Sequence, residues 1–226
     1  MILGKSDAME KKNLVSEEKG FERERKEFLM HMYDQMFNDI NRHILVVWQS
    51  VGVVIGAFAL FGLVERAILP LDVAAGLIIL IGLWLLVHLE DAGYWYNRNL
   101  TIIANIERQF LRKSDLRNIQ YYFGKHRAKN VMLTHLRIQY LFGIGIVSLV
   151  LLYHFLTRVL PGFGSPWANF EPLRCLPYVI LIIGGGVVFR IRRKMKKKYA
   201  EFLENSPGID VDTEGIRYGE GHPADE

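Results

Sequence analysis

Between residues 44 and 64 the chain reads ILVVWQSVGVVIGAFALFGLV, a block of twenty-one residues without a charge. At 1.5 Å of rise per residue, a helix of this length covers about 30 Å, the thickness of a bilayer's hydrocarbon core. A soluble helix or strand would interleave polar residues at its own period, and this block does not. Three more blocks follow the same pattern: about Val73 to Leu89, Ile138 to Leu156, and Cys175 to Phe189. The second draws on Leu71 at one end. The fourth, at about 15 residues, draws on Leu173 and Ile191, with Arg174 and Arg190 snorkelling to the interface.

The whole-chain averages hide this. Of 226 residues, 50% are hydrophobic and 23% charged, which taken alone would suit a soluble domain. The charges lie between the apolar blocks, and their positions set an orientation. The segment before the first block carries 8 Lys/Arg, residues 90–137 carry 9, and the segment from Arg190 carries 8. The two remaining loops hold Arg66, Arg158 and Arg174, so 25 cations stand against 3. The positive-inside rule then places both termini and the middle segment in the cytoplasm. The net charge of +4 reads as topology, and no nucleic-acid partner is expected. The run Arg190, Arg192, Arg193, Lys194, Lys196, Lys197, Lys198 reads as a stop-transfer anchor and a contact for anionic lipid headgroups.

The expected fold is an all-α polytopic membrane protein with four transmembrane helices in two hairpins. Amphipathic cytoplasmic helices precede and separate the hairpins. Residues 1–43 form a cytoplasmic helix, 44–89 the first hairpin, 90–137 a cytoplasmic helical segment, 138–189 the second hairpin, and 190–226 a basic anchor with a disordered tail. The outer loops are short: Glu65 to Asp72 with Pro70, and the Pro/Gly-rich Thr157 to Arg174, where Phe163, Trp167 and Phe170 suit an interface.

The N-terminal helix, Ser16 to Arg42, lacks proline and carries Phe21, Phe28, Met32, Met36 and Ile40 near helical spacing, a narrow stripe for packing on a neighbour. In the middle segment Tyr96, Leu100, Ile103, Ile106 and Phe110 make one apolar face, and Arg98, Thr101, Asn105, Arg108 and Arg112 run along another. That second stripe has three readings: a solvated or lipid-facing surface, ion pairs with Glu22, Glu24 and Glu27, or a site for an anionic ligand such as a nucleotide or phospholipid. Arg98, Asn105, Arg108 and Arg112 are its candidate ligand or partner residues. Ser114 or Asp115 caps a second short helix ending at Gly124, and helix resumes from about Asn130.

Polar residues within or beside the spans are candidate sites. His88, Glu90 and Asp91 cluster at the end of the second span, and the bland reading is a polar rim. His154, near the outer end of the third, is an intramembrane ionisable group and a functional candidate by default. Gln49, Ser50 and Ser148 offer interhelical hydrogen bonds. Gly52 and Gly56, Gly143 and Gly145, and Gly184, Gly185 and Gly186 give three spans small-residue faces for close packing, within a chain or between copies.

Several chemistries find no support. One cysteine, Cys175, gives no intrachain disulfide framework and no multi-cysteine zinc site. No cleavable signal is expected in the first 43 residues. Phosphate-binding, dinucleotide, GxSxG, HExxH and paired-carboxylate motifs are lacking, so no enzyme, cofactor or metal is expected.

The charged N-terminal helix, the tight hairpin Ile44 to Leu89 and the helix Tyr94 to Phe110 resemble small membrane effectors of bacterial defence operons. These are the SLATT type and its four-span relatives associated with cyclic-oligonucleotide signalling. The resemblance covers roughly residues 20 to 125 and rests on architecture; the second hairpin departs from the two-span type. It implies an oligomer in the bacterial inner membrane that permeabilises it when a cytoplasmic protein or nucleotide signal arrives, in antiviral defence. The alternatives are an anchor or scaffold that recruits a cytoplasmic partner, and a small ion or solute transporter.

Overall fold

The computed structural model describes residues 3–111, 129–164, 166 and 170–205. Among them every regular element is helical, and four helical stretches are long and apolar enough to cross a membrane. Helix α1 runs Leu3–Ala57 and α2 Ala59–Glu65; α3 runs Leu71–Phe110, α4 Thr134–His154 and α5 Leu176–Asn205. A π-helical turn, Phe155–Val159, continues α4 into a 3-10 turn, Leu160–Gly164, and a second 3-10 turn, Pro172–Cys175, leads into α5.

The described residues divide into two compact units. Residues 3–39 and 99–111 belong to the first, and residues 40–98, 129–164, 166 and 170–205, which include all four apolar blocks, belong to the second. In the first, α1 and α3 pair through polar contacts: Asn99 Nδ2 donates to Asp39 Oδ2 at 2.7 Å, and the Tyr33 hydroxyl to Glu107 Oε1 at 3.3 Å. The expected apolar stripe on α1 is half-buried at Met32 and Met36 and buried at Ile40, but Phe21 and Phe28 are exposed.

In the second unit α3 is the central helix. Its most apolar stretch is 56% buried, against 22% for the first block and 11% for the fourth. Ala74, Ala75, Ile78, Ile79, Leu85 and Leu89 are fully enclosed. Helices come this close where small residues remove the intervening side chain. A Cβ at Gly143 on α4 would stand 3.0 Å from Leu86 Cδ2, and one at Gly82 would stand 2.6 Å from Val147 Cγ2. On α5, a Cβ at Gly184 would collide with Leu83 Cδ1. Gly52, Gly56, Gly145, Gly185 and Gly186 behave differently, with nothing within 4 Å among the described residues.

Three boundaries depart from or add to the expectation. At Phe58, between α1 and α2, the helix tightens for one turn: Phe58 keeps a right-handed φ of -64° and ψ of -18°, with Phe58 N–H donating to Ile55 O and Phe61 N–H to Phe58 O. The hairpin then closes through Ala67, whose φ of 54° is left-handed. Ala67 N–H donates to Val64 O at 2.9 Å and Ile68 N–H to Leu63 O at 3.0 Å, the Schellman pattern that satisfies the last carbonyls of a helix. Helix resumes at Thr134, later than Asn130, because the preceding stretch is occupied by Asn97. Its Nδ2 donates to Asn130 Oδ1 at 2.6 Å and to Val131 O at 3.0 Å. The fourth block is the start of a 30-residue helix, which carries the basic run beyond Arg190 as far as Asn205. Residues 206–226, and the short helix expected from Ser114 to Gly124, lie outside the described residues.

The two kinds of glycine respond differently to bulk. Gly184→Leu should lose about 1–3 kcal/mol through overpacking against Leu83, whereas Gly185→Leu should stay within about 0.5 kcal/mol of the parent. Thermal unfolding in detergent micelles reads both, and equal losses would contradict the packing described.

Candidate functional site

The strongest concentration of buried charge lies at one end of the second unit, where α3 begins and α4 ends. Asp72 sits in the first turn of α3, where the helix N-terminus favours a carboxylate, and it is only 1% exposed. Three side chains from elsewhere in the chain converge on this end. His154, fully buried, places Nε2 2.9 Å from Asp72 Oδ1. Arg158, one turn later, donates from Nε to Oδ1 at 3.1 Å and from Nη2 to Oδ2 at 2.9 Å, a bidentate fork on the same carboxylate. The Tyr178 hydroxyl on α5 lies 3.2 Å from His154 Nδ1. With Nε2–H donating to Asp72, Nδ1 accepts from Tyr178, and both ring nitrogens are satisfied.

The network continues toward the surface. Arg158 Nη2 also donates to Glu171 Oε2 at 2.7 Å, and Arg174 donates to Glu171 from Nε at 3.2 Å and from Nη2 at 2.7 Å. Hydrogen bonding from Arg174, then the charge of both arginines, holds the Glu171 carboxyl below its usual range. Asp72 and Glu171 balance Arg158 and Arg174, so an apolar bundle end carries four full charges with no net excess. The set ties α3, α4, the loop before α5 and α5 itself together.

Of the residues singled out from the sequence, His154 belongs to this network. Its partner Asp72 did not stand out, because a lone carboxylate after Pro70-Leu71 looks like the edge of a turn. The pairings span 82 and 86 positions, beyond the reach of any helical period. His88, Glu90 and Asp91 do not form one site. His88 packs edge-on against Trp84 with ring centroids 4.5 Å apart, while Glu90 approaches Arg192 Nε at 3.6 Å.

The arginine stripe is only partly described. Arg98 lies over the rings of Trp95 and Phe202, at 5.3 and 5.8 Å. Asn105 is half-buried, and Thr101, expected on the polar face, is buried at 1% exposure. The Arg108 side chain and all of Arg112 fall outside the described residues. Nearby Asn97, Asn99 and Glu107 are buried, so polar groups occur on both sides of the helix and the two-face pattern is not kept. Glu107, whose Oε2 has no hydrogen-bond partner among the described residues, has its pKa pushed up to about 6 by burial, against an ordinary 4.5. Burial likewise raises its partner Tyr33 to about 12. Among the described residues, no group of three or more His, Cys, Asp or Glu is placed to hold a metal ion.

Two outcomes test these contacts. Asp72→Ala leaves Arg158 and His154 without their carboxylate and should cost about 3 kcal/mol. Adding Arg158→Ala should recover part of that loss in a double-mutant cycle, and strictly additive losses would show that the side chains do not interact. For Glu107, the folded pKa lies above the unfolded one, so the native state binds more protons between pH 4.5 and about 6. Stability should therefore fall by about 2 kcal/mol as pH rises through that window. Glu107→Gln should remove the step, as read by circular dichroism melts of both proteins from acid to neutral pH.

No protein-family model, no curated protein and no solved structure matches this chain.

Proposed function

We propose that the chain is a multi-pass inner-membrane protein with cytoplasmic termini, which self-associates and permeabilises the bilayer when a cytoplasmic signal reaches its helices. The 25-to-3 division of cations supports the orientation. Contacts at the ends of the apolar blocks agree with an up-down-up-down path. His43 stacks on Trp95 with centroids 6.1 Å apart, and Glu90 approaches Arg192, where blocks one, two and four meet cytoplasmic sequence. Phe61 meets Tyr153, and Asp72 meets His154, where they meet the outer loops.

One observation carries the reading of self-association. Gln49, Gly52 and Gly56 are spaced three and four residues apart, on one face of α1, in the middle of its apolar block. Gln49 is exposed and, among the described residues, has no hydrogen-bond partner; the two glycines have open space beside them. Hydrocarbon offers nothing to a carboxamide, whereas another helix approaching across glycine does. A second copy supplies that helix. The Asp72 network then acts as the closure of the outer end, which any conducting state has to loosen.

A second reading, proton-coupled transport, has the buried Asp72–His154 pair in its favour. The bidentate hold of Arg158 on the same carboxylate favours a fastening over a carrier site.

Reconstitution in dye-loaded vesicles, with crosslinking through a cysteine introduced at position 45, one turn before Gln49, tests the proposal. The parent should crosslink and release dye on a cytoplasmic trigger or at high density, and Gln49→Leu with Gly56→Leu should do neither while remaining folded. Crosslinking without release would leave a scaffold. Uptake driven by a proton gradient without general leakage would favour the transporter.

A further inference from the structure

At the opposite end of the second unit from the Asp72 network, α3, α4 and α5 enclose a polar pocket of about 420 Å³. Its charged lining comes from the edges of three apolar blocks: Glu90 just beyond Leu89, Arg137 just before Ile138, and Arg192 and Lys196 beyond Phe189. Asn130 and Tyr140 add polar groups. Glu90 is buried and approaches Arg192 at 3.6 Å, with a side-chain hydrogen bond to Tyr140. One carboxylate against three cations leaves the pocket with a surplus of two positive charges. Arg137, Arg192 and Lys196 are exposed, and Arg192 also faces Glu90 and Tyr140.

The remaining wall is apolar. Leu141 and Ile144, one turn apart on α4, line the pocket and are 58% and 41% exposed. They lead from the cations along the third apolar block.

We propose that this pocket binds the phosphate group of an anionic phospholipid, with an acyl chain lying over Leu141 and Ile144. Two arginines and a lysine suit a phosphate, the guanidinium forks giving direction and the ammonium adding charge. Basic pockets between helices on the cytoplasmic side are where such headgroups are held. The residues lie at headgroup depth because each stands at a block's edge. A free phosphate or nucleotide shares the charge chemistry but makes no use of the exposed leucine and isoleucine. Glu90 is the selective element. It neutralises part of the positive charge, so that the site suits a singly charged diester and not a polyphosphate.

This inference rests on the chain being embedded in a membrane, and that premise is tested separately by alkaline carbonate washing of membranes. The binding itself is read by native mass spectrometry of the full chain in micelles, titrated with phosphatidylglycerol and phosphatidylcholine of matched chains. The parent should retain phosphatidylglycerol in preference to phosphatidylcholine. Arg137→Gln with Lys196→Gln, which leaves Glu90 and Arg192 together, should weaken phosphatidylglycerol about thirtyfold with an unchanged melting temperature. If the double variant fails to fold, Lys196→Gln alone and the parent's preference decide. Equal retention of the two lipids, or undiminished binding by the folded variant, overturns the proposal. Displacement of phosphatidylglycerol by millimolar inorganic phosphate or ATP overturns it in favour of a soluble anion. A chain that washes off membranes yet prefers phosphatidylglycerol in micelles fails the membrane reading and keeps this site.

Discussion

A carboxylate removed from water among apolar helices is unstable unless other groups compensate its charge, and Asp72 is such a carboxylate. The organisation of one end of the second unit follows from that constraint. His154 and Arg158 are held one turn apart on the α4 side, Tyr178 fixes the imidazole from α5, and Glu171 completes the arginine's coordination. Releasing Arg158 or His154 leaves Asp72 buried and less compensated, and releasing Tyr178 leaves the buried His154 short of a partner. Buried ion pairs are weak evidence for stability as such, but they fix which helices neighbour which. Apolar packing along the middle of the bundle, where leucine, isoleucine and glycine recur, does not discriminate so sharply between registers.

The architecture was legible because one physical property, apolar length, dominates it. Blocks such as Ile44 to Val64 are too long and too free of charge to be anything but spanning-length helices, and no tertiary knowledge is needed to see them. The ends were less legible. The tightened turn at Phe58 has no proline or glycine at that position to mark it. The helical continuation through Arg190 to Asn205 was masked because a basic run reads as an anchor whether or not it is helical, although Lys and Arg are good helix formers.

The site was half legible for a related reason. His154 stood out because an ionisable group in an apolar block is costly and therefore conspicuous. Asp72 and Arg158 sat at block edges, where charge is ordinary, and their pairing is a long-range fact that no local spacing encodes. The arginine stripe on α3 is described only in part. Its periodicity was genuine, yet Thr101 and Glu107 are buried, because a helix enclosed on more than one side no longer has one polar face and one apolar face.

The two charged clusters also stand a fixed distance apart. From Leu176, beside the outer arginines, to Arg192 is sixteen residues of continuous helix, or about 24 Å at 1.5 Å per residue. The hydrocarbon of an average bilayer is about 30 Å thick. A helix shorter than the hydrocarbon gains no reach by tilting, and fastened at both ends it cannot stretch, so in the proposed orientation the lipid has to give way. The bundle would then act as a gauge of bilayer thickness: comfortable in thin membranes, and strained at its outer ion pairs where the membrane is thick.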